Sequence, residues 1–415
     1  MRLLARNGTL LDTTTMEMVG ERSVVIEDDR IVDVIDGDGG SAGRNIDADV
    51  TIDASGRYLL PGFIDAHVHH VIPTMNFARL QRMTDTELVL AMAKLAEATV
   101  SRGFTSVRDA AGAVGELVNA IERGLCPGPR ITRAGRALSQ TGGHGDLRPS
   151  NEVPIPSCGC QIDTNNLGHV TDGADACRKA ARYELRDGSD FIKIMASGGV
   201  ASPTDPFDSV QFTAEEIRAI TTETDHRHTY TTAHAYLPDA IGHAIENGVR
   251  CIEHGNGVDQ AVAERMAELG VIMVPTLVTY KAMQDEGAKF GMPTVNLDKN
   301  RGVFEMGQAS INIAKRAGVE LGFGTDLLGE VQPWQNQEFA IRADLEPAAD
   351  VLRSLYVTNA KLCRAEGLAG VLKPGAYADL LVSDVNPLER LSALAHPDAH
   401  IATIVHRGVV VRDLG

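Results

Sequence analysis

Between residues 60 and 366, short apolar segments alternate with amphipathic stretches, and this alternation constrains the fold most strongly. Eight segments have strand character, at 61–69, 105–108, 130–135, 190–196, 229–235, 250–254, 271–276 and 319–326. Helical patterns lie between and after them, at 85–102, 114–123, 172–186, 213–227, 238–247, 258–269, a long stretch ending at 316, and 347–366. This repeat predicts an α/β fold with a parallel (β/α)8 TIM barrel. A doubly wound open sheet is the competing architecture, but it would usually be shorter, and no glycine-rich fingerprint follows the first strand.

The two ends of the chain have a different, hairpin-rich pattern. Residues 1–59 contain alternating runs with a turn at Asp28-Asp29. Residues 367–415 return to β character, beginning with a turn and strand at 373–382. We therefore predict a discontinuous β-sandwich domain, formed by 1–59 plus 367–415, beside a barrel domain at 60–366.

Composition excludes several classes of partner. The 415 residues, 43% of them hydrophobic, are enough for a large core. A net charge of -17 without a basic stripe argues against nucleic acid. No apolar run is long enough to span a bilayer, and the N-terminus lacks a signal core, so we predict a cytoplasmic protein that does not bind membranes. The 6 cysteines lack zinc-site spacing, and Cys158-Gly159-Cys160 is predicted to be a plain loop.

The polar residues at strand ends indicate a metal centre. Side chains at i and i+2 of a strand point the same way, so His67 and His69 converge at the end of the first strand. Active sites of (β/α)8 barrels lie at the C-terminal ends of strands, where the later strands contribute Lys193, His234, His254 and Asp326. Each has a structural alternative: a hydrogen-bonded histidine, a snorkelling lysine or a helix-capping aspartate. Six such residues at one mouth favour the metal centre.

Four histidines and an aspartate exceed the needs of one tetrahedral zinc ion. The ammonium of Lys193 would repel a metal, whereas a carbamate formed by carboxylation of its amine would be an anionic bridging ligand. The residues therefore favour a two-metal hydrolytic centre.

Five motifs extend this interpretation: Pro61–His69, Phe191–Gly199, Ala233–Tyr236, Ile252–Gly255 and Gly324–Asp326. Together with Pro374–Leu380 they resemble the amidohydrolase superfamily over essentially the whole chain, most of all its imidazolonepropionase-like and Xaa-Pro dipeptidase (prolidase) branch. The resemblance implies two divalent metal ions, usually zinc, with these ligands: His67, His69 and Asp326 on the more buried ion, His234 and His254 on the more exposed one, and carboxylated Lys193 bridging both. It also implies a metal-bridging hydroxide as nucleophile, with Asp326 carrying its proton to the leaving amine.

Substrate-binding residues are predicted from loop positions. His144, in the loop after the third strand, and Tyr236, just beyond His234, are the other expected catalytic residues. These two and Tyr280 are expected to bind the substrate, although each is equally compatible with a structural loop role. His70 replaces the apolar residue expected after the histidine pair, which affects the local pocket shape.

The sequence thus predicts a metal-dependent hydrolase of Xaa-Pro or related dipeptides or N-acyl amino acids, with a small-molecule partner and, from the resemblance, a homo-oligomeric state. One alternative is hydrolysis of Xaa-Arg or Xaa-Lys dipeptides, with Asp205 and Asp208 favouring a basic side chain, unless they are turn residues. Another is hydrolysis of a different amide or a carbamate. A mononuclear deaminase is less favoured because of Leu237 and Lys193, and a non-enzymatic scaffold because all six ligands are present.

Overall fold

The computed structural model describes residues 1–37, 46–80, 82–112, 114–148, 167–202 and 205–414. Cys158 and Cys160 lie outside these ranges, so the loop predicted there stays a prediction. Within the described part of the chain, no helix is both long enough and apolar enough to cross a membrane.

Seventeen strands and fourteen α-helices build the described structure. The strands are β1 Arg2–Asp12, β2 Glu17–Glu27, β3 Arg30–Asp36, β4 Val50–Asp53, β5 Tyr58–Pro61, β6 Phe63–Val68, β7 Phe104–Asp109, β8 Arg130–Arg133, β9 Ala137–Ser139, β10 Gly168–Val170, β11 Ile192–Met195, β12 Thr231–Ala235, β13 Cys251–His254, β14 Ile272–Val274, β15 Leu380–Ser383, β16 Ile401–His406 and β17 Val409–Asp413. The helices are α1 Phe77–Leu80, α2 Asp85–Ser101, α3 Gly115–Glu122, α4 Ala174–Arg186, α5 Ala214–His226, α6 Pro238–Glu246, α7 Gln260–Glu268, α8 Leu277–Glu286, α9 Thr294–Lys299, α10 Val303–Ala317, α11 Gln337–Ala343, α12 Ala348–Arg353, α13 Asn359–Leu362 and α14 Pro397–His400.

The central strands form two parallel sheets. One has the order β6-β7-β8 and the other the order β10-β9-β11-β12-β13-β14, and every neighbouring pair in them is parallel. Every residue of β11, β12, β13 and β14 is buried, because parallel strands are covered on both faces. The α/β fold with parallel sheets predicted from the repeat is confirmed.

The eighth predicted strand, 319–326, is not a regular strand, and in this respect the prediction was wrong. Only an isolated bridge joins Leu321 to Met273. Side chains take over part of the ladder, since the Phe323 N–H donates to Asn359 Oδ1 and the Thr325 N–H donates to Asp65 Oδ1 as well as to His67 O. The segment still lies between β14 and β6, because its backbone bonds to Met273 on one side and to Ala66 and His67 on the other.

The long helical stretch predicted up to 316 is three helices, α8, α9 and α10. Gly291 and Gly302, both with positive φ, and Pro293 lie between them, and such residues end helices. The break matters for the site, because it lets α9 pack over the loop that follows β11. The capping box at Thr213 and Glu216 that begins α5 is present as the sequence indicates.

Both termini join one eight-stranded sheet, ordered β17-β16-β15-β5-β1-β2-β3 with β4 also on β1. The antiparallel pair β5–β15 links the N-terminal strands to the C-terminal ones. Only Gly62 separates β5 from β6, and a Cβ there would lie 2.0 Å from Thr105 Oγ1. The terminal sheet therefore leads directly into the strand that carries the histidine pair.

Candidate active site

Three expected ligands lie close together: His67 and His69 at the end of β6, and Asp326 in the 319–326 segment. His69 Nε2 lies 3.1 Å from both Asp326 Oδ1 and His67 Nε2. Potential ligand atoms of His67, His69 and Asp326 all lie within 4.8 Å of one another, the one such group found among the described residues. The sequence spacing of the pair thus has the predicted consequence of aiming both rings at one point.

The remaining expected ligands line the same pocket. His254 projects from the end of β13 with its ring centroid 5.0 Å from that of His67 and 4.7 Å from that of His234. Lys193, buried on β11, also lines the pocket. Its amine makes no hydrogen bond and no ion pair within 4.0 Å to the described residues. Both His254 and Asp326 have positive φ values, 73° and 50°, a local strain that is concentrated at functional sites.

Each of the four histidines has one ring nitrogen held by a hydrogen bond, which leaves the other nitrogen for a ligand. The contacts are His67 Nδ1 to Glu253 Oε2 at 2.7 Å, His69 Nδ1 to Ala111 O at 3.2 Å, His254 Nδ1 to Thr276 Oγ1 at 2.8 Å and His234 Nε2 to Gly198 O at 3.1 Å. Such contacts fix the tautomer and orientation of metal-ligating histidines. The donor set therefore fits divalent metal ions.

Glu253 and Arg108 support this arrangement, and sequence reasoning missed both. Glu253 is fully buried and joins His67 Nδ1 to Arg108, whose Nη2 lies 2.5 Å from Glu253 Oε1. The Arg108 Nε–H also donates to Ala66 O at 2.6 Å, directly before His67. The available signal was a charged residue within each of two strands predicted to be buried in the barrel, since buried charges need partners.

Electrostatics keep three of the four imidazoles neutral, whereas for His69 the effect of burial is outweighed by the contact with Asp326, which raises the pKa. Burial, followed by the charge of Lys193, lowers the pKa of His67 to about 4. Burial is also the main cause that lowers the pKa of His234 and His254 well below the usual value. Neutral imidazole is the form that binds metals. Burial lowers the pKa of Lys193 as well, which favours the free amine.

The pocket contains about 580 Å³ of empty space, including open solvent at its mouth, and its wall is largely apolar. The described apolar residues of the wall are Ile72, Phe77, Leu147, Leu167, Met195, Val200, Ala201, Met283 and Leu328. Among the described lining residues, Lys193 is the only lysine or arginine and Asp326 the only carboxylate. The part of the substrate that meets this wall is therefore expected to be apolar.

The structure brings His144 and Tyr236 to the pocket but places Tyr280 behind its wall. The His144 ring stacks on that of His234, with centroids 4.2 Å apart and planes 17° apart. Tyr236 lines the pocket, and its hydroxyl oxygen lies 3.1 Å from that of Tyr280. Tyr280 is itself not among the described lining residues, and it contacts the site through Tyr236 and through the ring of His254, whose centroid lies 6.3 Å from that of Tyr280.

His70, Asp205 and Asp208 do not face the pocket. His70 Nδ1 contacts Asp109 Oδ2 at 2.8 Å, and the His70 side chain lines a small separate cavity together with Val68. Asp205 is buried against Lys299 and His144, whereas Asp208 is exposed. The change at position 70 thus leaves the orientation of the histidine pair intact.

Comparison with known proteins identifies the family. The model of the amidohydrolase family matches residues 58–411, which include all six expected ligands. The chain belongs to the amidohydrolase family. It is a metal-dependent hydrolase, and family members of this kind act on small molecules.

Several relatives are prolidase-like amidohydrolases. A prolidase crystallised with N-methylphosphonate-L-proline is 43% identical, with a TM-score of 0.93 and 100% of both chains covered. A Xaa-Pro dipeptidase with methionine bound in its active site is 27% identical, with a TM-score of 0.86 over 99% of this chain and 100% of that one. An ochratoxinase from Aspergillus niger is 29% identical over 354 residues, covering 82% of this chain and 73% of the relative. The resemblance to the prolidase-like branch is confirmed.

Proposed function

We propose that this amidohydrolase cleaves the amide bond of Xaa-Pro or related dipeptides and N-acyl amino acids at a two-metal centre. The observation that carries the proposal is that all six expected ligands line one pocket. The 43% identity to a prolidase that binds a phosphonate analogue of an acyl-proline supports the substrate class.

The architecture that supports this function is a closed (β/α)8 barrel over 60–366. Its wall consists of the two parallel sheets and the 320–326 segment, which is hydrogen-bonded between β14 and β6. The second domain, 1–59 plus 367–415, is a β-sandwich. Its support is a core in which Leu3, Val24 and Ile31 pack in one cluster with Leu380 and Val405 from the other terminus.

The ligands divide into two sets. His67, His69 and Asp326 would hold one zinc ion, and His234 and His254 the other, with Lys193 joined to both as a carbamate. Bound metals would act as Lewis acids on the scissile carbonyl and activate the attacking water. An unpaired, buried Lys193 with a lowered pKa is suited to the reaction of a neutral amine with CO2.

The protein's own side chains supply positioning and proton transfer. Burial opposes ionisation of Asp326, but the neighbouring His67 and His69 outweigh it and lower the pKa of the carboxyl group. Asp326 therefore enters the reaction as a carboxylate that accepts a proton at Oδ and delivers it to the leaving amine nitrogen. His144 and Tyr236, on the pocket wall, would bind the substrate carboxylate or the tetrahedral intermediate, with Tyr280 behind Tyr236.

A second candidate is hydrolysis of another apolar amide. The apolar wall and the likeness to an ochratoxinase favour it. The alternative of Xaa-Arg or Xaa-Lys substrates is less favoured, because Asp205 is occupied by Lys299 and His144 and Asp208 does not line the pocket. Deamination remains disfavoured, because Lys193 faces the pocket.

A panel of Xaa-Pro dipeptides, N-acyl-prolines, other N-acyl amino acids and Xaa-Lys dipeptides, assayed with added zinc, tests the proposal. We expect turnover of apolar Xaa-Pro or N-acyl substrates, loss of turnover after chelation, and two metal equivalents per chain by elemental analysis. Turnover of Xaa-Lys dipeptides without turnover of apolar substrates would support the alternative of Xaa-Arg or Xaa-Lys hydrolysis instead. An inactive protein with no bound metal would remove the hydrolytic proposal.

We also propose that the chain forms a homo-oligomer, as its family resemblance implies, and that it is cytoplasmic, as the lack of a long apolar run in the sequence indicates. Multi-angle light scattering and cell fractionation test these two statements.

A further inference from the structure

The loop after β11 contains a polar network that the six expected ligands do not use, centred on Asp205. The side chain of Asp205 is 1% exposed. Its Oδ2 accepts hydrogen bonds from the Gly199 N–H and from Gln211 Nε2, each at 3.2 Å, and lies 3.2 Å from His144 Nδ1. Although burial opposes ionisation, the contacts with His144 and Lys299 lower the pKa of Asp205. A buried carboxylate with this many donors is held in one orientation.

Lys299 fastens this loop to α9, which comes from the segment after β14. Its ammonium donates to the carbonyl oxygens of Asp205 at 2.7 Å, Ser202 at 2.9 Å and Gly199 at 3.2 Å. The same ammonium lies 3.6 Å from Asp205 Oδ1. From the preceding turn, Asn296 Nδ2 donates to Ser202 O at 3.2 Å. Helix α9 thus binds the carbonyl oxygens of Gly199, Ser202 and Asp205, in a loop that lies about 100 residues earlier in the chain.

The network fixes both the backbone and the ring of His144. Gln211 Oε1 accepts a hydrogen bond from the His144 N–H at 2.9 Å, while the Gln211 amide nitrogen donates to Asp205. Since Nδ1 faces both Asp205 and the Ser202 hydroxyl oxygen, the latter at 3.1 Å, Nε2 is the ring nitrogen left for the pocket. The fit is tight, because a Cβ at Gly199 would lie 2.6 Å from His144 Nε2.

We propose that Asp205 is a positioning residue for His144, and that Lys299 keeps Asp205 in place by fastening the β11 loop to α9. The Asp205–Lys299 clasp turns His144 Nε2 towards the substrate without contacting the histidine and aspartate metal ligands. This inference rests on the proposed amide hydrolysis, in which His144 contacts the substrate.

The variants Asp205→Asn and Lys299→Met test the clasp. Each is expected to lower kcat/KM by about 10-fold to 100-fold, the range seen when the partner of an active-site histidine is lost. Bound metal is expected to stay unchanged. Adding Asp205→Asn to His144→Gln is expected to cost nothing further, because both changes remove the same oriented imidazole. Asp298→Asn, an exposed neighbour on α9 paired with Arg301, is the matched control and is expected to keep wild-type kinetics.

A readout that needs no turnover separates this proposal from the proposed function. In protein labelled with 15N-histidine, the Nδ1 resonance of His144, assigned with His144→Gln, is expected to shift in Asp205→Asn and Lys299→Met but not in Asp298→Asn. If no amide is hydrolysed while the resonance shifts, the proposed function fails and the clasp stands. Additive losses in Asp205→Asn/His144→Gln, or an unshifted resonance, would overturn the clasp.

Discussion

The pocket has two sides that are built differently. Its floor contains His67, His69 and Asp326, with Glu253 behind His67, and is carried by strand ends and the segment joined to them. Its rim contains His144, with Gly199, Asp205 and Lys299 behind it, and is carried by loops and a short helix. Floor residues contact one another through buried charges, whereas rim residues are held mainly by side chains that bind backbone carbonyls.

The comparison shows which contacts make each side of the pocket rigid. Backbone hydrogen bonds fix the floor, because β6 and β13 belong to parallel ladders and the Asp326 N–H donates to His67 O, so the candidate ligands are oriented before a substrate arrives. The rim depends on a few contacts between segments far apart in the chain. Changes in the floor should therefore affect metal binding and stability, and changes in the rim should affect substrate handling.

The largest expected effect follows from removing the floor's proposed bridging ligand with Lys193→Ala. Metal content should fall and kcat/KM should drop at least about 1,000-fold, because bound metals contribute several kcal/mol of transition-state stabilisation. Steady-state kinetics and elemental analysis measure this. Lys281→Ala, an exposed lysine on α8, is the control. A fully metallated, active Lys193→Ala protein would refute the role of Lys193.

Glu253→Gln tests whether the buried charges hold the floor. The substitution leaves Arg108 buried without its carboxylate, which should cost about 3–5 kcal/mol of unfolding free energy. Metal affinity should also fall about 10-fold to 100-fold, since His67 loses its charged partner. Urea denaturation and competition with a metal chelator give the two values.

The exposed pair Glu246–Arg265 supplies the control for that experiment. Glu246→Gln should change neither value measurably, because exposed ion pairs contribute little. Equal effects of the two substitutions would mean that burial of Glu253 has no special role.

Gly199→Ala probes the rim. The added methyl group would lie 2.3 Å from His144 Cε1 and 2.7 Å from His234 Nε2, so both rings must move. We expect about 1–3 kcal/mol of destabilisation from overpacking, together with a reduced kcat/KM. Gly242→Ala is the matched control, because the nearest atom lies 3.9 Å away and the residue is inside α6. There a stabilisation of up to about 1 kcal/mol is expected; similar behaviour of the two variants would contradict the close packing at the rim.

The smallest expected effect lies beside the terminal sheet, where Asp379 forms ion pairs with His406 and Arg130. Burial opposes ionisation of Asp379, but contacts with His406 and Arg130 outweigh it and lower its pKa. A lowered folded-state pKa adds stability above the unfolded value of about 3.9, and this stability is lost as the pH falls through the folded pKa. Asp379→Asn should therefore be less stable than wild type by about 1–2 kcal/mol at pH 6, with the difference vanishing as the pH falls below the unfolded value of about 3.9 and through the lowered folded-state pKa. Thermal unfolding across this pH range measures it, and a difference independent of pH would refute the linkage.

Much of the floor could be predicted from the sequence. The two-residue strand period aims His67 and His69 the same way, and Lys193 stands out in an apolar strand. The alternation of strand and helix segments predicted the parallel α/β fold. The irregular 319–326 segment was not predictable, because the side chains of Asn359 and Asp65 replace its ladder bonds.

The rim was largely beyond prediction. His144 and Tyr236 were identified as candidates by their position after strands, but the partners of His144 were not. Asp205 was considered for binding a basic substrate, whereas the structure pairs it with His144 and Lys299, which lie 61 and 94 residues away in the chain.

The sequence by itself determined the alternation of strands and helices and the identity of the six candidate ligands. Both follow from the period of apolar residues and from the spacing of polar ones, which are local properties of the sequence. Only the tertiary structure decided that Glu253 orients His67 across 186 residues and that α9 closes over the β11 loop. Those contacts depend on the distance between segments after packing, and no local pattern encodes that distance.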